Sequence, residues 1–196
     1  SIATAAFADT YDLNKGSVTV ETKEDGFTYV TQLDNTQKDG YARNKNNEVL
    51  NEHPDDTGVT ITSNGEKTSN TITVETAKDQ TTDVTLDKVH IEVDTAKTKS
   101  GAIEIKGDGN TNLELNGNNT VLTENDWEEE HAAIEKADKY GKEGTLTIKD
   151  DVNDDGTAKG TDADTTGTLL AGGYHEAAAI GGGAGEDLCD TSNITI

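Results

Sequence analysis

The sequence feature best suited to chemistry is an acidic run between residues 151 and 162. Asp151, Asn153 and Asp155 alternate with other residues, Gly156 follows directly, and Asp162 completes the run. In a Ca²⁺-binding loop, oxygen ligands occupy positions 1, 3, 5 and 12, and a glycine at position 6 makes the sharp turn. The spacing predicts a Ca²⁺ site at these four oxygen-bearing residues. The last position is Asp instead of the longer Glu, and no flanking helices are evident, so a solvated acidic turn is the alternative.

The other carboxylates and the histidines are not spaced for catalysis or for zinc binding. The lyases and hydrolases that act on uronates need a basic residue beside clustered carboxylates. Adjacent aspartates occur at three places, Asp55-Asp56, Asp150-Asp151 and Asp154-Asp155, but the only arginine, Arg43, lies in the predicted N-terminal cap. No metal-ligand spacing relates the four histidines, so the sequence predicts no zinc site; they are His53, His90, His131 and His175. We therefore expect no catalytic residues and no cofactor other than Ca²⁺.

Charge restricts the partners of the chain. It has 39 acidic and 16 basic residues, a formal net charge of −23. Such a balance argues against nucleic acid and against anionic lipid surfaces. No apolar run approaches the ~18 residues of a membrane span, so membrane insertion is not expected. Divalent cations, basic protein surfaces and neutral glycans remain as ligand classes.

Two features indicate export. Residues 1–8 end in Ala6-Phe7-Ala8 before Asp9, the small-x-small pattern of a signal-peptidase site. Residues 1–8 are therefore predicted to be a signal-peptide remnant, the alternative being an ordinary apolar strand. Cys189 is the single cysteine, so no internal disulfide is available. An exported protein without disulfides favours the exterior of a Gram-positive bacterium.

The elements that must position these residues are short alternating strands. Each has apolar side chains on one face with a polar residue between them, and Gly, Asn, Asp and Lys separate the strands. A sandwich, a barrel or a solenoid is compatible with such a series. The segments are 18–20, 59–61, 72–74, 84–86, 89–93, 103–105, 113–115, 146–148 and 194–196.

Internal similarity favours the solenoid. Ala-Ile pairs end at Ile103, Ile134 and Ile180, and each is followed by a second strand that begins at Leu113, Leu146 or Ile194. A fixed order with variable spacing fits strands stacked in register, with insertions expelled into the turns. We predict residues 58–196 to be such repeats, continuing beyond the end of the chain, and residues 9–57 to be an N-terminal cap.

Three local expectations accompany this prediction. The run 116–119, Asn-Gly-Asn-Asn, is expected to form a corner in which asparagine side chains satisfy backbone amides. The segment 127–141 is expected to begin with a short helical turn and return to strand at Ala132, with a full helix as the alternative. The run 181–185 is expected to be a flexible turn, since no Lys-Ser/Thr follows as in a phosphate-binding loop.

Several of these motifs together resemble the β-helix repeats of large Gram-positive, clostridial-type surface adhesins. They are more weakly similar to a clostridial family of β-helical proteins that bind polygalacturonate and cellulose. The resemblance spans about residues 72–196 and implies an all-β, right-handed parallel β-helix. The matching stretches are 84–91, 113–121, 144–150, 179–183 and 193–196.

The resemblance implies a non-catalytic module, secreted or on the bacterial cell surface, that binds a host protein, such as an immunoglobulin or a mucin, or a polysaccharide. Aromatic side chains commonly anchor such partners, and the candidates are Tyr29, Tyr41, Trp127, Tyr140 and Tyr174, with local packing as the alternative for each. A Ca²⁺-dependent polysaccharide-binding module and a passive stalk are the alternatives.

Overall fold

In the structure, a computed structural model, β-strands make up about half of the described residues and nearly all of the regular secondary structure. The structure describes residues 9–32, 58–124, 130–150, 166–185 and 187–196. Besides the strands there is one short α-helix, α1 (Thr95–Thr98), and there are 3₁₀ helices at Leu13–Lys15 and Asp138–Tyr140. The strands are β1 Asp9–Asp12, β2 Val18–Thr22, β3 Thr28–Gln32, β4 Val59–Thr62, β5 Lys67–Thr68, β6 Ile72–Thr76, β7 Thr81–Asp87, β8 His90–Asp94, β9 Ile103–Lys106, β10 Asn110–Asn116, β11 Asn118–Glu124, β12 Ile134–Glu135, β13 Thr145–Lys149, β14 Thr168–Gly172, β15 Ile180–Gly181 and β16 Ile194–Thr195.

The strands form three sheets, which the chain visits in a fixed cyclic order from β4 onward. The first sheet is β1-β4-β7-β10-β13-β16, the second β14-β11-β8-β5, and the third β15-β12-β9-β6-β2-β3. Among the described strands, only the β2–β3 pair is antiparallel. From β4 onward, three consecutive strands, one from each sheet, make what we call a layer: residues 59–76, 81–106, 110–135 and 145–181. Strands β1 and β2 pair with the first of these layers in the first and third sheets.

The core lies between the sheets and is built from columns of aliphatic side chains. In the third sheet, residues 18, 72, 103, 134 and 180 follow one another in register as one valine and four isoleucines. Neighbouring strands in a sheet lie about 4.8 Å apart, so each side chain packs on its counterpart in the next layer. The alternate residues point outward, which explains why the strands alternate in polarity although their sheets are parallel.

Part of the interior is polar, because four threonines lie in it fully buried: Thr22, Thr76, Thr82 and Thr111. Their hydroxyls form a chain of hydrogen bonds, with Oγ1–Oγ1 distances of 2.6 Å for 76–82, 2.7 Å for 82–22 and 3.1 Å for 76–111. Buried hydroxyls must be hydrogen-bonded to be tolerated, and this chain satisfies them mutually. Threonine therefore fills core positions of this fold.

Asparagine and glycine make the corners between sheets, as the sequence indicates. Asn119 is buried, accepts a hydrogen bond from the Val89 backbone amide, and donates to backbone carbonyls. At another corner Gly107 has φ +89°, and a Cβ there would lie 2.1 Å from the Thr76 carbonyl oxygen. Consecutive layers therefore approach at backbone contact distance, which only glycine permits.

Each predicted strand segment overlaps a strand, but not all of the similar tripeptides pair at equivalent residues. Ile103, Ile134 and Ile180 do pair across layers. In the first sheet, however, Leu113 pairs with Ile148, and Leu146 pairs with Thr111. The two strands are offset by two residues because a buried threonine takes an inward position that the aliphatic pattern does not mark.

The segment 130–141 is not a helix. It contains strand β12 and the 3₁₀ turn Asp138–Tyr140, so the full-helix alternative is wrong for these residues. The front of that segment, 127–129, lies outside the described residues. Within the described ranges, no helix is long and apolar enough to cross a membrane.

Candidate functional site

A group of ionisable side chains lies buried on the outer side of the third sheet. Glu104 on β9 and Glu135 on β12 are register partners in adjacent layers, so their side chains leave the sheet on the same side. His131 lies just before β12 and completes the group. The exposed fractions are 6% for Glu104, 6% for His131 and 0% for Glu135. Three ionisable groups thus share a site from which water is nearly excluded.

Backbone amides and one lysine fix the carboxylates. His131 Nδ1 lies 3.0 Å from both carboxylate oxygens of Glu135, and the Ala132 amide donates to Glu135 Oε2 at 2.9 Å. The Gly101 amide donates to Glu104 Oε1 at 3.2 Å, and Lys106 Nζ lies 3.2 Å from Glu104 Oε2. Each carboxylate is therefore held by one backbone amide and one cationic or ionisable partner.

A glycine-rich segment covers the site. A Cβ on Gly183 would lie 2.6 Å from the Glu130 carbonyl oxygen and 3.0 Å from Glu135 Oε2. A Cβ on Gly101 would lie 2.5 Å from the Ala132 carbonyl oxygen. Residues 181–183 are buried, so the flexible turn predicted for this run is wrong for its first three residues. The lack of side chains lets the backbone close over the carboxylate.

Tyr140 borders the same group. The Lys106 ammonium lies 4.6 Å from the centre of its ring, an approach typical of a cation–π contact. Burial raises the pKa of Tyr140, and the negative charges of Glu104 and Glu135 raise it further, against the opposing effect of Lys106. The tyrosine proposed from the sequence as a binding anchor is thus half-buried and tied to the ionisable group.

Two carboxylates and an imidazole are donors of the type that hold a divalent metal ion. The donor atoms of Glu104, His131 and Glu135 lie within 4.8 Å of one another. The same groups are unsuited to act on a polymer, because their burial leaves no access for a substrate chain. Sequence reasoning missed this group because Glu104 joins the other two only through the layer-to-layer register.

The sequence-predicted site residues are placed as follows. The Ca²⁺ ligands Asp151, Asn153, Asp155 and Asp162 lie outside the described residues, as do Tyr41 and Trp127. That Ca²⁺ site therefore stays a prediction from the sequence. Tyr174, by contrast, is described and is 51% exposed.

Tyr174 has an apolar neighbour in the sequence on the same edge of the second sheet. Leu170 on the edge strand β14 is 62% exposed, and Tyr174 follows two residues after that strand ends. The Tyr174 ring meets the His175 ring edge-on, with centroids 4.5 Å apart. Leu170 pairs in register with Thr120 on β11, whose own partner on β8 is His90. This edge therefore presents an aromatic and an aliphatic side chain on a rigid polar sheet.

An open acidic depression lies elsewhere, beside the turn between β2 and β3. It encloses about 650 Å³. Its lining includes five carboxylates and two lysines: Glu21, Glu24, Asp25, Glu75, Asp108, Lys23 and Lys78. The Lys78 ammonium lies 3.3 Å from Glu143 Oε2, so part of the nearby negative charge is paired. Exposed carboxylates of this kind attract cations without selecting one.

Comparison with protein families, curated proteins and solved structures finds no match to this chain.

Proposed function

We propose that the layers form a right-handed parallel β-helix that serves as a non-catalytic binding module, secreted or displayed on a bacterial surface. The cyclic visiting of three parallel sheets supports a helical path of the chain. The columns of core side chains in register support it as well, since each layer buries its apolar face on the next. The resemblance of the repeat motifs to surface adhesins supports the extracellular role.

One observation carries the binding role: Leu170 and Tyr174 are strongly exposed at one edge of the second sheet. Neighbouring exposed apolar side chains often mark an interaction site, and tyrosine is enriched at binding hot spots. A partner that docks here would meet an apolar anchor surrounded by polar side chains. That composition fits an exposed protein surface or a glycan, whose sugar rings stack on aromatic faces.

The outer face of the first sheet offers a second, polar surface for contacts. Its outward residues form rows of polar side chains linked between layers. Asn112 Nδ2 donates to Asp83 Oδ1 at 2.8 Å, and Thr145 Oγ1 donates to Asn110 Oδ1 at 2.7 Å. Such bonds hold the side chains in place before a partner arrives, which lowers the entropy cost of binding. We take the partner to be a host protein, such as an immunoglobulin or a mucin, or a polysaccharide.

The test is binding of the full chain to purified immunoglobulin, purified mucin and a glycan array. We expect one of these to bind, and Tyr174→Ala to weaken that binding about tenfold or more. Tyr29→Ala is the matched control. The Tyr29 ring is occupied within its own hairpin by Lys23 at 4.3 Å, and its hydroxyl donates to Asp25 at 3.2 Å.

Three outcomes separate the alternatives. Equal loss in both tyrosine variants, or none in either, refutes the site at Tyr174. Polysaccharide binding that disappears with a chelator identifies a Ca²⁺-dependent module. Failure to bind any of the three probes removes the binding role and leaves the passive stalk.

A further inference from the structure

The buried group of Glu104, His131 and Glu135 has an excess of negative charge that the proposed binding role does not explain. Two carboxylates face each other from adjacent layers with almost no exposure to water. Lys106 lies against Glu104 and offsets one negative charge. With a neutral imidazole, one negative charge remains in a medium where an uncompensated charge is expensive. Among the described residues the site therefore has more negative than positive charge, and a proton on His131 or a bound cation would offset the excess.

We propose that Glu104, His131 and Glu135 bind a divalent transition-metal ion of the Zn²⁺ type that stabilises the fold. The donors are two carboxylate oxygens and one imidazole nitrogen, all within 4.8 Å of one another, so small side-chain movements bring them around one ion. Mixed nitrogen and oxygen donors suit Zn²⁺ and its neighbours, whereas Ca²⁺ takes six to eight oxygen ligands.

The surroundings orient the donors as outer-shell groups do in metal sites. The backbone amides of Gly101 and Ala132 each hold one oxygen of a carboxylate, which fixes the direction of that side chain. His131 Nδ1 points at the carboxylate of Glu135, at 3.0 Å, so a metal ion between them would take the place of this hydrogen bond.

An ion at this position would join parts of the chain that are far apart in sequence. Glu104 belongs to one layer, while His131 and Glu135 belong to the next, and Gly183 closes over Glu135 from the layer after that. The ion would therefore strengthen contacts between consecutive layers. Burial would also make its exchange with solvent slow, so loading is best done during refolding.

The experiment uses the full chain, unfolded with a chelator, refolded, and loaded with Zn²⁺ in the presence of excess Ca²⁺. The added Ca²⁺ keeps the predicted loop at 151–162 from competing for zinc. Elemental analysis after gel filtration measures the stoichiometry, and competition with a zinc-binding dye measures the affinity. We expect one Zn²⁺ per chain and a melting temperature that rises with Zn²⁺.

Substitutions locate the ion. His131→Gln and Glu135→Gln keep the size of each side chain, and we expect each to weaken Zn²⁺ binding about tenfold or more. His90→Gln is the matched control, because His90 lies 3.4 Å from Glu92 on the outer face of the second sheet. We expect it to bind Zn²⁺ as the wild type does. Stoichiometric zinc that survives His131→Gln, or is lost equally in His90→Gln, overturns the proposal.

A measurement on the wild type covers the case in which a variant does not fold. X-ray absorption of the zinc-loaded chain reports the ligands directly, and we expect one imidazole nitrogen with oxygen ligands around the ion. A spectrum with sulfur ligands, with oxygen ligands alone or with several imidazoles refutes this site, and so does a chain that takes up no zinc. These outcomes leave the proposed binding role at Tyr174 untouched, because that role rests on a different surface.

Discussion

Asn119→Ala is the sharpest test of how the corners hold the layers together. Asn119 is 1% exposed and lies at the turn from the first sheet to the second. Its Oδ1 accepts from the buried Val89 amide at 2.8 Å. Its Nδ2 donates to the carbonyls of Asn116, Gly117 and Thr168 at 3.2, 3.3 and 3.4 Å. One side chain thus serves three consecutive layers.

The magnitude follows from what alanine leaves behind. A buried amide without an acceptor costs about 1–3 kcal/mol, and the Val89 amide loses its side-chain acceptor in this variant. The three longer donations from Nδ2 together contribute about 1 kcal/mol more. We expect a loss of about 3 kcal/mol in the free energy of unfolding, a large part of the ~5–15 kcal/mol typical of a folded domain.

The assay is equilibrium urea unfolding followed by far-UV circular dichroism. Asn112→Ala is the control: Asn112 also makes a side-chain hydrogen bond between layers, 2.8 Å to Asp83, but on the exposed face. We expect it to cost less than about 1 kcal/mol. If both variants lose the same stability, or Asn119→Ala loses none, burial of the corner amide is not what gives Asn119 its role.

Two further predictions test the close approach of layers and one surface ion pair. Gly107→Ala is expected to cost about 3 kcal/mol or more, because its Cβ would meet a backbone carbonyl that cannot move aside. The control is Gly65→Ala: Gly65 has φ +75° but no atom near its Cβ position, so the substitution should lower the stability only by the ~1 kcal/mol of left-handed backbone strain. Equal losses of stability for the two variants in thermal melts would refute the close approach of layers at Gly107. Partial burial pulls the pKa of Glu92 up, but contacts with His90 and Lys67 outweigh it and hold that pKa below its usual value. The ionised Glu92 carboxylate therefore stabilises the fold at a pH above its unfolded pKa, and we expect Glu92→Gln to lower the free energy of unfolding there by less than about 1 kcal/mol. This loss should shrink as the pH falls from about 6 to about 3, because the carboxylate becomes protonated. A loss that stays constant over this range contradicts the ion pair.

The sequence predicts strands where aliphatic residues fill the inward positions and fails where polar residues do so. Strand β6, with Ile72 and Val74 inward, is marked by its pattern. Strand β11 is not fully marked, because Asn119 and Thr123 take two of its three buried positions beside Val121. A polar residue is accepted there only because partners in neighbouring layers satisfy it, which no pattern within one strand reveals.

The pairing register between neighbouring strands is also not determined by the sequence of a single strand. The Ala-Ile repeats give the third-sheet column correctly, since Ile103, Ile134 and Ile180 pair as their similarity indicates. In the first sheet Leu113 and Leu146 begin similar tripeptides and still do not pair. A shift of two residues preserves which side chains point inward, so the hydrophobic pattern is satisfied equally well in both registers.

The buried ionisable group depends on the pairing register of the third sheet and also on a segment that covers the outer row of side chains. A glutamate on the outer face of a stacked sheet is ordinarily a solvated surface residue, and a pair such as Glu104 and Glu135 would repel only weakly in water. Here Gly183 lies against the Glu135 carboxylate and the Glu130 carbonyl, and both carboxylates of the row are almost fully buried. The repulsion between the carboxylates then becomes strong enough to require His131, Lys106 or a cation. In such a layered sheet, chemistry arises where a segment covers an outer row, and a sequence reveals it only once both the register of the row and the path of the covering segment are known.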